Sequence, residues 1–199
     1  MNAALKPALE VLAAGKMIVI TGDRLRGGDI DLCLAARHVT PQAVNFMATH
    51  GRGLVCLALT PARALRLGIQ LINPGRNNQS GRPHGRSIEA ATGISTGISA
   101  ADRAHTIATA VAEGACASDL ISPGHVFPLI TAEGGVAERP AAAEAAIELC
   151  RLADAGDSAV ICSIMRDDGE MARIDDIRPL LDEFGLPVVD LKDLMAPSR

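Results

Sequence analysis

A single histidine stands between two prolines in the segment Ser-Pro-Gly-His-Val-Phe-Pro-Leu, residues 122–129. Proline fixes its own φ and restricts the residue before it, so Pro123 and Pro128 leave this segment few conformations. Gly124 allows the backbone to run close to a ligand. An imidazole held this stiffly is suited to binding, although a rigid connection in which His125 only hydrogen-bonds a neighbour fits the same residues.

Aspartates follow the first predicted strand, which spans residues 17–21. The next segment, residues 22–31, is rich in Gly, Asp and Arg, and a strand that ends in such a loop is a common location for a functional site. The aspartates of this segment, among them Asp29 and Asp31, could contribute to such a site; the alternative is that they only solvate or turn the loop.

Helical and extended patterns alternate along the chain without internal repeats. The predicted helices span residues 3–14, 41–51, 99–113, 140–153 and 174–184, with a short one after Thr60 and Pro61. The predicted strands span residues 17–21, 32–36, 54–59, 158–165 and 187–191. This order indicates an α/β fold, a single-domain α-β-α sandwich with a mixed sheet that covers residues 1–199.

Capping residues mark the starts of three predicted helices. The pairs Thr40-Pro41 and Thr60-Pro61 each place an N-cap before a first helical position. Ser99, followed three residues later by Asp102, resembles a capping box.

Composition excludes several classes of protein. The net charge of the 199 residues is −4, whereas a nucleic-acid binder normally carries a strongly basic face. The chain has no Trp and no Tyr, which argues against platforms for base stacking. Its 5 cysteines lack C-x-x-C spacing and indicate reduced thiols in a cytoplasmic protein. Lys6, Glu10 and Lys16 interrupt the apolar N-terminal stretch, so no membrane span is expected.

Three motifs together resemble the 3,4-dihydroxy-2-butanone 4-phosphate synthase family of riboflavin biosynthesis. They are His-Gly-Arg-Gly-Leu-Val-Cys at 50–56, Ser-Thr-Gly-Ile-Ser-Ala-Ala-Asp-Arg at 95–103 and the segment 122–129. Weaker similarity, including residues 167–169 and 171–173, runs almost from end to end. The resemblance implies a lyase that converts ribulose 5-phosphate, a sugar phosphate, to 3,4-dihydroxy-2-butanone 4-phosphate and formate. It also implies a divalent metal, Mg²⁺ or Mn²⁺, and a homodimer with the active site close to its interface.

The resemblance also assigns roles to individual residues. His125 matches the family's metal-ligand histidine, and Asp29 is the expected carboxylate partner because Gly27 stands where the family has its metal-binding Glu. The expected catalytic residues are Asp31, Cys56, Glu144 and His50. The expected substrate-binding residues are Arg26, Thr96, Asp102, Thr106, Arg82 and Arg86.

Several of these residues have a purely structural alternative. Cys56 lies in an apolar strand, where a lone cysteine packs more often than it reacts. His50 could simply donate to a carbonyl at a helix end. Asp102 could only close the capping box, although the helix start beside Thr96 also suits a phosphate, with Thr106 facing the same way.

This chain departs from the family at phosphate and proton-transfer positions. Ser122 replaces an Arg, residues 141–143 are three alanines where the family has Gly-His-Thr, and Ser163 replaces a Glu. These losses keep two alternatives to the synthase open. One is a diverged enzyme that acts on another phosphorylated or carboxylated sugar-like substrate, and the other is a catalytically inactive paralog.

A basic segment, residues 73–86, has no helical or extended periodicity and is predicted to be a mobile surface loop. It replaces a family segment that is largely uncharged. Its basic side chains are Arg76, Arg82, His84 and Arg86. The loop is either a solvated surface or a relocated clamp for a phosphate or carboxylate.

Overall fold

Strands and helices alternate along the chain, and the computed structural model describes residues 3–74 and 83–195. The strands are β1 (Ile18–Asp23), β2 (Asp29–Ala35), β3 (Arg52–Leu59), β4 (Ile88–Ala90), β5 (Leu120–Ile130), β6 (Ser158–Ile164) and β7 (Val188–Asp190). The helices are α1 (Lys6–Ala13), α2 (Pro41–Phe46), α3 (Pro61–Arg66), α4 (Ala100–Val111), α5 (Gly135–Glu138), α6 (Ala142–Leu152), α7 (Ile174–Phe184) and α8 (Leu191–Met195).

These strands form one mixed sheet in the order β4-β5-β3-β6-β2-β1-β7. The pairs β3–β5 and β1–β7 are parallel, and the other neighbours are antiparallel. Alternate residues of β2 point to opposite faces. Cys33 packs in the core with α1 and α6, whereas Leu32 packs in the core with α2 and α4. The predicted α-β-α sandwich with a mixed sheet is confirmed, while its extent over residues 1–199 stays a prediction.

Threonine caps begin two of the helices, as the sequence predicts. The Thr40 hydroxyl accepts a hydrogen bond from the Ala43 N–H at 3.1 Å. The Thr60 hydroxyl accepts one from the Arg63 N–H at 3.2 Å. In each case the hydroxyl satisfies an N–H that the first helical turn leaves without a partner.

The predicted loop at residues 22–31 is wrong in its extent. Strand β1 continues to Asp23, a single 3₁₀ turn covers residues 24–26, and β2 already begins at Asp29. Asp29 and Asp31 are therefore strand residues with 7% and 0% exposure. They do not solvate a loop, because neither side chain faces solvent.

The proline-bounded segment is also not a loop, because it is part of β5. Its pairing with β4 is irregular: Glu89 opposes Ile121, whereas the neighbouring Ile88 opposes Val126. Residues 122–125 therefore bulge from the ladder at the place where Pro123 lacks an N–H to donate. The bulge gives the segment the stiffness that the sequence predicts, within a strand.

Other differences are smaller. The sequence predicts neither β4 nor α8, because both are very short. Most of the predicted mobile loop, residues 75–82, lies outside the described residues.

Candidate active site

Asp31 lies at the centre of the candidate site, on the sheet face that packs against α6. Its side chain alternates to the same face as Cys33, which belongs to the core under α1 and α6. The carboxylate accepts a hydrogen bond from the Ser163 hydroxyl at 2.7 Å. Because Asp31 and Ser163 are direct partners in the β2–β6 pairing, the sheet register itself brings them together.

Arg26 supplies the positive charge beside this carboxylate. Its Nη1 lies 3.5 Å from an oxygen of Asp31, and its Nη2 pairs with Asp29. Arg173 approaches the other oxygen of Asp29 at 3.8 Å. The Arg26 side chain is only 13% exposed, so solvent screens its attraction to both aspartates weakly. The structure thus brings three predicted site residues, Arg26, Asp29 and Asp31, into contact.

Asp23 ties this group to the start of helix α6. Its Oδ2 accepts a hydrogen bond from the N–H of Ala142 at 3.0 Å. Its buried Oδ1 has no hydrogen-bond partner among the described residues. A carboxylate at this position is stabilised by the free N–H groups and by the positive end of the helix dipole. The sequence matches Asp23 to the family but assigns it no role.

Burial raises the pKa of the Asp31 carboxyl from 3.8 to about 6. Arg26 and the hydrogen bond from Ser163 oppose this shift, and the nearby Asp23 and Asp29 add to it. Desolvation outweighs the favourable pair because the carboxyl is completely buried. Asp31 therefore changes its protonation state close to neutral pH.

This pKa shift predicts a measurable pH dependence of stability. The folded state binds the Asp31 proton more tightly than the unfolded chain, so stability falls as pH rises from about 4 to about 6. A shift of this size corresponds to about 3 kcal/mol. In Asp31→Asn the contribution is absent, so the variant's stability relative to wild type should rise over this interval. Urea denaturation of both proteins between pH 4 and pH 7 measures the two free energies of unfolding. A difference between them that does not change with pH would contradict the prediction.

His125 is held by a residue that the sequence analysis missed. Its Nδ1 contacts the carboxylate of Glu89 on the neighbouring strand β4. The side chain of His125 is 42% exposed and that of Glu89 is 12% exposed. An acidic residue inside the apolar run Ile-Glu-Ala at 88–90 is the sequence signal that could have identified Glu89.

Cys56 packs in the core and does not present a reactive thiol. It is 0% exposed and lies opposite Phe127 of β5 and Ile161 of β6. Burial raises the pKa of its thiol well above the usual range, and the nearby Asp31 adds to this effect. A thiolate is disfavoured at this position, so packing is the role that the described contacts support, and the catalytic role stays a prediction.

The variant Cys56→Ala should retain formate release from ribulose 5-phosphate within about 3-fold of wild type. Loss of the buried sulfur should lower the free energy of unfolding by about 1 kcal/mol. Formate assays and urea denaturation measure the two effects. The variant Cys116→Ala, at an exposed free cysteine, is the matched control. A loss of activity greater than about 10-fold in Cys56→Ala alone would restore a chemical role.

His50 lies in an aromatic cluster. Its ring centroid is 4.4 Å from that of Phe46 and 5.1 Å from that of Phe184. It borders a cleft of about 560 Å³ between the end of β6 and helix α7. The described contacts of His50 are therefore aromatic packing, and they do not support the predicted catalytic role.

The helix α4 residues are mainly structural. The buried Thr106 hydroxyl accepts from the Ala90 N–H at 3.1 Å, and the predicted substrate contact stays a prediction. Asp102 accepts from the Ser95 hydroxyl at 2.8 Å and the Gly97 N–H at 3.0 Å, and these bonds lower its pKa. Only half of the capping box forms, with Ser99 accepting from the Asp102 N–H. Thr96 is exposed on the same loop.

Glu144 is buried in the first turn of α6. Its Oε1 accepts from the Ala132 N–H at 3.0 Å and from Arg139 at 3.3 Å. Its side chain is 0% exposed, and burial raises its pKa. The contacts of Glu144 therefore link α6 to the end of β5, and its predicted catalytic role stays a prediction. Arg139, which the sequence analysis did not single out, adds a cation at the start of α6.

The basic loop contributes only its last residues to the described structure. Arg82 and Arg76 lie outside the described residues. Arg86 is exposed, and its backbone N–H donates to Gln70. His84 is partly buried, and burial lowers its pKa together with the positive charges of Arg26 and Arg139. His84 thus faces the cationic part of the site.

The described residues fit a divalent cation poorly. Within residues 3–74 and 83–195, no group of three or more His, Cys, Asp and Glu side chains is arranged to hold a metal ion. His125 contacts Glu89, whereas Asp29 pairs with Arg26 and Arg173. The structure thus gives each of the two predicted metal ligands, His125 and Asp29, a different protein partner.

A buried aspartate whose pKa is raised to about 6, flanked by guanidinium groups, is an arrangement typical of enzyme sites. No helix of the described part of the chain has the length and apolar character needed to cross a membrane.

The chain belongs to the 3,4-dihydroxy-2-butanone 4-phosphate synthase family, whose model matches residues 6–197. The riboflavin biosynthesis protein RibBA of Aquifex aeolicus is 44% identical over 190 residues, which cover 94% of this chain and 47% of that protein. The synthase of Pseudomonas aeruginosa is 42% identical over 187 residues, which cover 51% of that protein. The synthase of Agrobacterium fabrum is 40% identical and is 91% covered. The chain thus spans about half the length of the first two relatives, and the predicted family is confirmed.

Solved structures of synthases from this family share the fold of this chain. A 3,4-dihydroxy-2-butanone 4-phosphate synthase in complex with two magnesium ions superposes with a TM-score of 0.89 at 33% identity, covering 96% of this chain and 94% of that one. The two-domain synthase RibBX of A. baumannii superposes with a TM-score of 0.89 at 40% identity, with 96% and 56% coverage.

Proposed function

We propose that this chain converts ribulose 5-phosphate to 3,4-dihydroxy-2-butanone 4-phosphate and formate. The observation that carries the proposal is the buried Asp31, whose pKa of about 6 allows it to accept and return a proton near neutral pH. Family membership supports the substrate, because the relatives are named for this product.

The charges around Asp31 support a division of tasks. Asp31 moves a proton to and from the sugar phosphate, and the Arg26 guanidinium stabilises the negative charge that develops on a substrate oxygen. His125 is a second group for proton transfer, since its ring is partly exposed. Arg139 is available for the phosphate, because guanidinium groups bind phosphate through paired hydrogen bonds.

No step of this proposal is assigned to a metal ion. A relative was solved with two magnesium ions, but the residues of this chain that could hold Mg²⁺ or Mn²⁺ are paired with protein groups. The proposed chemistry therefore rests on side chains of this chain alone.

Formate release from ribulose 5-phosphate tests the proposed function. The assay is run with added Mg²⁺ and with a chelator, on wild type and on His125→Ala. We expect wild type to release formate and His125→Ala to be slower by about 100-fold. Absence of formate from folded wild-type protein under both conditions would overturn the proposal.

A second candidate is an enzyme of this family with a different anionic substrate. It is favoured by the losses around Asp31, where Gly27 and Ser163 replace carboxylates and Ala142 replaces a histidine of the family. It is also favoured by the two guanidinium groups, Arg26 and Arg139, that lie near His84. Thermal stabilisation measures it, because a ligand that binds only the folded state raises the melting temperature. This candidate would be favoured if another phosphorylated or carboxylated sugar raised the melting temperature and ribulose 5-phosphate neither raised it nor released formate.

A homodimer is part of the same proposal. Three large apolar side chains near the His125–Glu89 pair are each more than half exposed: Leu54, Ile98 and Ile121. Ile121 pairs directly with Glu89 in the sheet. A second copy of the chain that covers these side chains would remove apolar surface from water beside the site. Sedimentation equilibrium measures the mass, and a monomer at micromolar concentration would contradict the dimer.

The cytoplasmic location is likewise a proposal. All five cysteines, Cys33, Cys56, Cys116, Cys150 and Cys162, are free, as expected in a reducing compartment. Cell fractionation tests it, and recovery in an extracytoplasmic fraction would contradict it.

A further inference from the structure

The Glu89 carboxylate occupies a space between two glycines. A Cβ atom added to Gly97 would lie 1.6 Å from its Oε1, and one added to Gly124 would lie 2.6 Å from its Cγ. Both distances are far shorter than any real contact. A side chain at Gly97 would push on the Glu89 carboxylate, whereas one at Gly124 would first meet the Ile88 backbone at 2.2 Å.

The wall formed by Gly97 is itself fixed in place. Gly97 has a φ of +84°, a conformation that glycine adopts without a steric penalty. Its N–H donates to the Asp102 carboxylate at 3.0 Å, and the Ser95 hydroxyl donates to the same oxygen at 2.8 Å. The motif at residues 95–103 therefore builds a socket for Glu89. This gives the motif a structural purpose beside His125.

The contact between Glu89 and Nδ1 decides where the imidazole carries its proton. A carboxylate accepts only from a protonated nitrogen, so Nδ1 bears the hydrogen and Nε2 keeps its lone pair in the neutral ring. Free histidine favours the opposite tautomer. The exposed fraction of His125 exceeds that of Glu89, 42% against 12%, so the ring and not the carboxylate faces the solvent.

We propose that Glu89 is a positioning residue that fixes the orientation and tautomer of His125 and presents its Nε2 for proton transfer to the substrate. The catalytic part of this inference rests on the proposed function. The tautomer part rests only on the contact between the two side chains. Histidines that a carboxylate orients in this way lose roughly 10- to 100-fold in function when the carboxylate is removed, by analogy with the outer partners of metal-bound histidines.

The first experiment measures the tautomer by ¹⁵N NMR of histidine-labelled protein, with the His125 signals assigned by their loss in His125→Ala. Wild type should show a protonated Nδ1 and an unprotonated Nε2 in the neutral ring. Glu89→Ala should shift the population towards a proton on Nε2, and Glu89→Gln should keep the wild-type tautomer because its amide oxygen still accepts. A wild-type ring with its proton on Nε2 would overturn the proposal, even if no variant folds.

The second experiment uses a matched pair of glycine variants. Gly97→Ala pushes a methyl group into Glu89, whereas Gly114→Ala has the same kind of backbone, with a φ of +80° against +84°, and no atom within 4 Å of its Cβ. Both carry similar backbone strain, so only the contact with Glu89 differs. We expect Gly97→Ala alone to alter the His125 tautomer. An unchanged tautomer in a folded Gly97→Ala would contradict the socket.

Kinetics complete the test. Glu89→Ala should lower kcat for formate release by about 10- to 100-fold with KM within about 3-fold, and Glu89→Gln should recover most of the loss. Unchanged kcat in a folded Glu89→Ala would overturn the catalytic part of the inference. If wild type releases no formate, the proposed function fails, and the NMR result still decides the tautomer.

Discussion

Replacing Asp31 with asparagine is expected to lower kcat for formate release from ribulose 5-phosphate by about 100-fold or more. The amide keeps the shape of the side chain and can still accept the hydrogen bond that Ser163 donates at 2.7 Å. It cannot take up or return a proton. Since the variant removes a buried charge, it should also remain folded at neutral pH, where wild type holds a desolvated carboxylate.

The control for this prediction is Asp157→Asn. Asp157 pairs with Arg63 at 3.0 Å, and its side chain is 42% exposed. It is therefore an ion-paired aspartate like Asp31, but its ion-pair partner is not one of the site residues. Its variant should retain activity within about 2-fold, because exposed pairs contribute little. Circular dichroism and denaturation establish that both variants fold. If Asp31→Asn kept more than a tenth of wild-type activity, Asp31 could not be the group that moves the proton.

The pH profile provides a second view of the same residue. Wild-type activity should rise as Asp31 ionises, with a midpoint near its pKa of about 6. The stability of the protein should fall over the same interval, because ionising a buried carboxyl costs free energy. Opposite trends of activity and stability over one pH range would tie both to a single group.

Local signals in the sequence predict much of this fold. The Thr-Pro pairs locate α2 and α3 because a cap needs only residues within one turn. Helix α7 is predicted with its observed bounds, residues 174–184. The segment 22–31 is predicted wrongly because its glycines and charged residues are typical of a loop. Strand β2 pairs with β1 from Asp29 onward and with β6 from Asp31 onward, and only the pairing with β6 is not local.

In the site, too, contacts between residues close in sequence are predicted and contacts between distant residues are not. Arg26, Asp29 and Asp31 are close in sequence, and the structure groups them. Glu89 and His125 are 36 residues apart and meet through the β4–β5 pairing, so no spacing rule predicts their contact. Cys56 and Thr106 lie in motifs that resemble the family, but only the burial of these residues reveals that their contacts are structural. Motif resemblance identifies which family the chain belongs to, whereas the role of each side chain depends on its exposure and partners.

Wild-type protein is expected to take up little Mn²⁺ at millimolar concentration, and Gly27→Glu is expected to increase the uptake by about 10-fold or more. Asp29 and Asp31 are paired with two guanidinium groups, Arg26 and Arg173, and a third carboxylate, Asp23, binds the N–H of Ala142. A divalent cation would therefore have to displace fixed cations to reach Asp29 and Asp31. A glutamate at position 27 restores the carboxylate that the family resemblance implies there and adds one negative charge.

The structure also supplies a control with the same backbone. Gly27 and Gly28 have φ values of +69° and +83°, and a Cβ at either position meets no atom within 4 Å. Gly27→Glu and Gly28→Glu therefore carry similar strain and add the same charge, so a difference between them isolates the position of the carboxylate. Electron paramagnetic resonance of free Mn²⁺ measures binding without reference to activity. Stoichiometric Mn²⁺ uptake by wild type would contradict the prediction, because it would show that the metal displaces the ion pairs. Equal Mn²⁺ uptake by both variants would show that the added charge, and not its position, increases binding.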